Sequence, residues 1–107
     1  MLGAVSIPYF LLAVRPTDAP PDKKKTKIMR YICALTIAGS DSCGGAGVQA
    51  DIKTMSALGV YAASAITSVT VQNTLGVQAI QAIRPEIVAG QIRAVMDDMK
   101  PTAIKVG

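Results

Sequence analysis

Apolar residues recur along the chain with two spacings, one typical of strands and the other of helices. Residues 33–38 form a short apolar run, partly β-branched, which is typical of a strand buried on both faces. The apolar residues that follow recur at helical spacing, namely Val48, Ile52, Met55 and Leu58. Gly59 is well placed to end that helix. The pattern therefore predicts a strand, a glycine-rich connection and a helix in succession.

The later part of the chain predicts three more strands and a second helix. Residues 61–71 are β-branched in their second half and predict a strand, with Gln72 at its carboxyl end, and residues 77–83 alternate as in a short edge strand. Pro85 suits the first turn of a helix, whose apolar face would consist of Val88, Ile92, Val95 and Met99. Residues 103–107 begin a last strand. This order predicts an α/β fold with a parallel sheet.

The glycine-dense stretch at residues 39–47 is typical of a ligand-binding loop. Its four glycines allow positive φ angles and a close approach of the backbone to a ligand. In an open parallel sheet such a loop lies at the carboxyl end of a strand, and the next helix offers N–H groups to an anion or polar ligand. We expect Gln72 at the same edge of the sheet.

The residues of this loop alone leave three interpretations open. Gly39 and Gly44 have the glycine spacing of a phosphate-binding P-loop, but the lysine that should follow is missing. Residues 45–50 read G-x-G-x-x-A, yet a dinucleotide-binding loop requires an acidic residue about twenty positions later. None occurs between Asp51 and Glu86. The third interpretation is a glycine-rich turn without a ligand.

The charge of the chain does not indicate a nucleic-acid partner. Of the net +4, residues 1–28 contribute +3, mainly through the lysines of residues 23–27. There is no Trp and one Phe, so no basic surface interleaved with aromatic residues is expected. The apolar residues 1–14 are too few for a transmembrane helix and lack the preceding positive charge of a signal peptide. We expect no membrane partner, and residues 1–28 are interpreted as a disordered or extraneous leader.

The two cysteines and the absence of histidine exclude two further classes. Cys33 in a strand and Cys43 in the loop do not make a disulfide framework, and no zinc pattern is present. Reduced thiols are typical of a cytoplasmic protein. Cys43 would be reactive if it lay near the helix N-terminus, whereas a thiol that only fills space is the more common case.

Four segments resemble the opening of the hydroxymethylpyrimidine/phosphomethylpyrimidine kinases, and the resemblance extends from around Met29 to Gly107. The segments are residues 34–41 (ALTIAGSD), 44–54 (GGAGVQADIKT), 56–61 (SALGVY) and 70–74 (TVQNT). The resemblance implies an incomplete ribokinase-like fold in which strand, loop and helix are followed by strand, strand, helix and strand. It also implies ATP-dependent phosphorylation of 4-amino-5-hydroxymethyl-2-methylpyrimidine, and then of its monophosphate, in thiamine biosynthesis.

The resemblance implies four substrate-binding residues. Gln72 matches the family's pyrimidine-recognising glutamine, whose amide can accept from a ring amino group and donate to a ring nitrogen. Asp51 matches a pocket acid near the hydroxymethyl end, while Gly39 and Ala46 match positions that line the pocket. From the residues alone, Asp51 could instead be a carboxylate at a helix start and Gln72 a polar residue at a strand end.

The loop departs from the family's usual sequence at two positions. Ser42 stands where the family usually has proline, and Cys43 stands where it has serine. The loss of proline removes a fixed φ angle, so the loop is expected to be less rigid.

The resemblance also implies functional parts that these 107 residues do not contain. Family members are well over twice as long, and their ATP and Mg sites and catalytic anion hole lie in the later half. We therefore expect no catalytic residue and no metal ligand in this chain, and no turnover by residues 1–107 alone. A homodimer is expected for the full-length enzyme. The alternatives are an inactive fragment that binds pyrimidine weakly and a pyridoxal-kinase-type enzyme, which residues 70–73 disfavour.

Overall fold

The computed structural model describes residues 32–107 and shows four strands and two helices. In chain order these are β1 (Cys33–Ser40), α1 (Gly47–Ala57), β2 (Tyr61–Asn73), β3 (Gly76–Ala82), α2 (Pro85–Asp98) and β4 (Ala103–Val106). The predicted order of elements is confirmed. The interpretation of residues 1–28 as a leader lies outside the described residues.

The strands form one mostly parallel sheet in the order β3-β2-β1-β4. β1 pairs in parallel with both β2 and β4, with Ala34 opposite Ala62 on one side and Ala103 on the other. β3 is an edge strand, as expected, and it runs antiparallel to β2 through the turn at residues 74–75. The carboxyl ends of β1, β2 and β4 therefore lie along one edge of the sheet.

The two helices cover opposite faces of this sheet. On one face Ala34 and Ala103 pack with Met55 of α1. On the other face Leu35 packs with α2 residues that include Ile92. Because successive side chains of a strand point to opposite faces, neighbouring residues of β1 belong to different clusters. Both clusters are small, and two of the three largest fully buried side chains in the described region are polar, Thr36 and Asp51.

The apolar face predicted for α1 is only half buried. Val48 and Met55 are buried as expected, whereas Ile52 and Leu58 are 37% and 54% exposed. Asp51 takes the place between Val48 and Met55 on the side that faces the sheet, so the packed face is rotated away from Ile52. The end of the helix follows the prediction, since Gly59 has a φ angle of +75°.

The second helix begins at Pro85, as predicted, but its packed face differs at the carboxyl end. Met96 contacts the sheet cluster together with Ile92 and Val95. Met99, predicted on that face, is the C-cap residue and is 37% exposed. Neither helix of residues 32–107 has the length and apolar character needed to cross a membrane.

Candidate functional site

The glycine loop between β1 and α1 is organised around the carboxylate of Asp41. Its Oδ1 accepts the N–H of Cys43 at 2.9 Å, and its Oδ2 accepts the N–H groups of Gly45 at 3.0 Å and Ala46 at 2.8 Å. The Asp41 side chain is 4% exposed, so these bonds compensate for the loss of solvent around its charge. The Asp41 carboxylate thus occupies the position in the loop that a bound anion would take.

Three N–H groups of the loop, just before the start of α1, are not available to a ligand. Those of Cys43, Gly45 and Ala46 are already bonded to Asp41. A phosphate at the same place would have to displace a buried carboxylate, which adds a physical objection to the P-loop interpretation. A ligand at this edge therefore has to be recognised by groups other than these three N–H groups.

One of the four loop glycines is required by a contact of the chain with itself, and a second lies close to a side chain of β2. Gly47 has a φ angle of +60°, and a Cβ there would lie 2.3 Å from the carbonyl oxygen of Gly39. A Cβ on Gly39 would lie 2.6 Å from Oγ of Ser68 on β2. The glycine density of this stretch predicts close approach of a ligand to the backbone. At these two positions the structure instead shows close approach of α1 and β2 to the end of β1.

The start of α1 is tied to the end of β1 by Gln49. Its Oε1 accepts the N–H of Asp41 at 2.8 Å, and its Nε2 donates to Oγ of Ser40 at 2.9 Å. The N-cap residue Ala46 has no side chain that could cap the helix. Gln49 and Asp41 together therefore fix the direction in which the chain enters α1.

Gln72 lies at the same edge of the sheet and is connected to the loop through two hydroxyl groups. The Ser42 hydroxyl donates to the Gln72 carbonyl at 2.6 Å and accepts the Gln72 N–H at 2.7 Å. The Thr70 hydroxyl lies 2.7 Å from the carbonyl oxygen of Ser40 and 3.1 Å from Oε1 of Gln72. The expected proximity of Gln72 and the glycine loop is thus observed.

Asp51 lies between α1 and the sheet in a buried ion pair. Its Oδ2 accepts the Thr36 hydroxyl at 2.6 Å and lies 2.8 Å from Nζ of Lys105 on β4. The side chains of Asp51 and Lys105 are 1% and 8% exposed. Because Asp51 is the fifth residue of α1 and has these two partners, the alternative of a helix-start carboxylate held by the dipole does not describe it.

The four residues that the sequence analysis assigned to substrate binding differ in their exposure. Gln72, Gly39 and Ala46 are half-buried at the edge where β1 and β2 end, whereas Asp51 is buried beneath that edge. Lys105 lies beside Asp51 as its ion-pair partner. No local pattern predicts Lys105 as a partner, because Asp51 lies 54 positions earlier in the chain.

No group of three metal-binding side chains occurs among residues 32–107. A shallow hollow of about 380 Å³ lies around Gly59 and Tyr61, where β2 begins. It is at the opposite end of β2 from Gln72, and it contains no cluster of charged side chains. We therefore place the candidate site at the carboxyl edge of the sheet, where the polar side chains converge.

Comparison with known proteins identifies the family. Residues 41–107 match the sequence profile of the family described as phosphomethylpyrimidine kinase. The chain belongs to this family. It is similar to the hydroxymethylpyrimidine/phosphomethylpyrimidine kinase of Rhizobium meliloti, with 60% identity over 74 residues, which are 69% of this chain and 28% of that protein. The chain therefore spans less than a third of the length of that kinase.

Solved structures of phosphomethylpyrimidine and pyridoxal kinases share the fold. The crystal structure of the phosphomethylpyrimidine kinase from Clostridium difficile matches with a TM-score of 0.70 and 55% identity, over 72% of this chain and 33% of that one. The pyridoxal kinase from Staphylococcus aureus, in complex with AMP-PCP and pyridoxal, matches with a TM-score of 0.66 and 31% identity. That match covers 74% of this chain and 30% of the other. The incomplete ribokinase-like fold predicted from the sequence is thereby confirmed.

Proposed function

We propose that this chain supplies the pyrimidine-binding part of a hydroxymethylpyrimidine/phosphomethylpyrimidine kinase. The observation that carries the proposal is the half-buried amide of Gln72 at the carboxyl edge of the sheet, connected to the glycine loop by Ser42 and Thr70. A primary amide both donates and accepts, so it can pair with an aminopyrimidine, which presents a ring amino group beside a ring nitrogen. The 60% identity to the Rhizobium meliloti kinase supports this substrate class.

The other three predicted residues take supporting roles in this proposal. Gly39 and Ala46 would form part of the wall of the site at the edge where β1 ends, as half-buried residues without large side chains. Asp51 is 1% exposed, so it would act through its charge and through its contacts with Thr36 and Lys105 rather than through an open surface. Each of these assignments can be tested by substitution.

Phosphoryl transfer would require groups that lie outside residues 32–107 in this proposal. Positioning and charge stabilisation of the γ-phosphate dominate catalysis of this reaction, and Mg²⁺ commonly contributes to both. ATP and Mg²⁺ would bind in the part of the family's length that this chain does not span. We place the enzyme in the cytoplasm, where reduced Cys33 and Cys43 persist, and propose that the full-length form is a homodimer.

The test compares this chain with a chimera in which the Rhizobium meliloti kinase supplies the part of the family's length that this chain lacks. Both are purified and assayed for ATP-dependent phosphorylation of hydroxymethylpyrimidine and of its monophosphate. We expect turnover by the chimera and none by the 107-residue chain. Turnover by the chain alone would refute our assignment of the γ-phosphate site, and a folded but inactive chimera would refute the pyrimidine-binding role.

Pyridoxal phosphorylation is the second candidate activity, because the Staphylococcus aureus pyridoxal kinase shares this fold at 31% identity. Pyridoxal has a hydroxymethyl group on a pyridine ring. It has no ring amino group that could donate to Oε1 of the Gln72 side-chain amide. We expect kcat/KM of the chimera to be higher for hydroxymethylpyrimidine than for pyridoxal. A preference for pyridoxal would replace the first proposal with the second.

A further inference from the structure

The Ser42 side chain makes two hydrogen bonds to the main chain of one residue, Gln72. Its hydroxyl donates to the Gln72 carbonyl at 2.6 Å and accepts the Gln72 N–H at 2.7 Å. A hydroxyl has one proton and two lone pairs, so a single serine can satisfy both groups. The two residues are 30 positions apart, so the bonds join the glycine loop to the end of β2.

This contact begins where the regular pairing of β2 ends. The last pair between β1 and β2 joins Ser40 with Val69, after an irregularity that follows Ala38. Beyond Val69, β1 provides no further strand residue for β2. The Ser42 hydroxyl takes the place of a neighbouring strand by binding both peptide groups of Gln72.

The other side of β2 is also irregular at this residue. The register with β3 shifts between Val71 and Gln72, which pairs with Val77. Such irregularities change the direction of a side chain and are common next to functional sites. Gln72 therefore has an unusual main-chain position, which is fixed by the bulge on one side and by Ser42 on the other.

The orientation of the Gln72 amide depends on that main-chain position. Its Oε1 lies 3.1 Å from the Thr70 hydroxyl, which is closer, at 2.7 Å, to the Ser40 carbonyl oxygen. Because a hydroxyl has one proton, the Thr70 hydroxyl holds the amide only weakly. Thr70 thus acts on the Gln72 amide directly, whereas Ser42 acts on the Gln72 main chain.

We propose that Ser42 is a positioning residue that sets the Gln72 amide for recognition of the aminopyrimidine ring, an inference that rests on the proposed function. The serine acts through Gln72 and does not itself contact the ring. Ser42 is exposed, so water can satisfy the Gln72 main-chain groups when the hydroxyl is removed, and we expect the variant to fold with a less defined Gln72 main chain. Its loss should therefore affect substrate affinity more than stability.

The experiment measures kcat, the KM for hydroxymethylpyrimidine and the KM for ATP in variants of the chimera. We expect Ser42→Ala to raise the KM for the pyrimidine about 3- to 10-fold, the effect of one or two lost hydrogen bonds, with little change in the KM for ATP or in Tm. Ser42→Thr retains a hydroxyl and should have a KM close to that of the parent. Ser56→Ala, which removes an exposed serine hydroxyl from α1, is the matched control and should change none of these values.

A double substitution separates positioning from a merely structural role. In a chimera that already carries Gln72→Ala, the main-chain bonds to Ser42 can still form but there is no amide to orient. We expect Ser42→Ala to produce no further rise in KM in that background. An equal rise in both backgrounds would show that Ser42 acts independently of the amide and would overturn the proposal.

The outcomes also distinguish this inference from the function on which it rests. If Gln72→Ala raises the KM for the pyrimidine and Ser42→Ala does not, the positioning role is refuted and the proposed function remains. If Gln72→Ala leaves that KM unchanged, the assignment of Gln72 is wrong and both proposals fail together.

Discussion

Removal of the Lys105 ammonium should destabilise the protein strongly, because it leaves the Asp51 carboxylate buried without its cation. In Lys105→Met the aliphatic stem is retained, so the main change is the loss of the charge that lies 2.8 Å from Oδ2 of Asp51. The carboxylate is 1% exposed and cannot recover its hydration without movement of α1. The Thr36 hydroxyl, at 2.6 Å, remains as a partner but carries no charge.

The magnitude follows from the cost of separating a buried pair. Removal of one partner of such a pair costs about 3–5 kcal/mol, a large part of the 5–15 kcal/mol that typically stabilises a whole domain. For a protein of the chimera's size this corresponds to a fall in Tm of roughly 6–20 °C. A solvent-exposed pair would change Tm far less, since such pairs contribute about 0–1 kcal/mol.

The assay is thermal unfolding of the chimera, followed by far-UV circular dichroism, for four proteins: the parent, Lys105→Met, Asp51→Asn and the double variant. Asparagine can still accept the Thr36 hydroxyl but carries no charge, so it should relieve part of the penalty in Lys105→Met. The double variant should therefore be more stable than Lys105→Met. Arg84→Met is the control, because its ion pair with Glu86 at 3.4 Å is exposed. A loss below about 1 kcal/mol in Lys105→Met, or strictly additive losses, would refute this reasoning.

Three further predictions concern single residues of the described region. Gly47→Ala should destabilise the chimera by more than about 2 kcal/mol, and Gly59→Ala by only about 1–2 kcal/mol, since both have positive φ but only Gly47 faces a backbone atom; equal shifts in Tm would contradict this. At pH 8, site-resolved mass spectrometry should find Cys43 alkylated and Cys33 protected, because Cys33 is buried and burial raises the pKa of its thiol above the ordinary 9.0; rapid native labelling of Cys33 would refute this. The contribution of the neutral Cys33 thiol to stability is fully present below pH 9.0 and is lost as the pH rises through the raised pKa. Gln72→Ala should lower kcat/KM for hydroxymethylpyrimidine by about 1–3 kcal/mol, or 5- to 150-fold, because a polar group of the substrate is left unpaired; unchanged kinetics would exclude the residue from recognition.

Local patterns were sufficient to predict the order of the elements. Each of these patterns determines the backbone conformation of only a few neighbouring residues. They are the β-branched runs, the proline at position 85 and the glycine at position 59. Their consequences could therefore be read without knowledge of the fold. The orientation of β3 also follows from a short local turn, although the sequence analysis did not state it.

The parts that the sequence could not predict depend on contacts between distant segments. The exposure of Ile52 follows from the position of Asp51 against the sheet, where Asp51 pairs with Lys105. Leu58 is exposed because it is the C-cap residue, beyond the last residue of α1. The role of Asp41 as the internal anion of the loop was missed for a different reason. Its partners lie only two to five residues away, but a carboxylate before several glycines is compatible with many loop conformations.

The separation of Asp51 and Lys105 has a consequence for the order of events during synthesis. The ribosome releases β1, α1 and β2 before β4. The cation that pairs with Asp51 is therefore synthesised 54 residues after Asp51 itself. Before Lys105 is synthesised, docking of α1 would bury the Asp51 carboxyl group without this cation, so we expect α1 to pack less firmly on the sheet until β4 is present. Pairing of β4 with β1 would then bring the Lys105 ammonium to Asp51, so that α1 packs on this face of the sheet. The buried ion pair thus links the packing of α1 to the presence of β4.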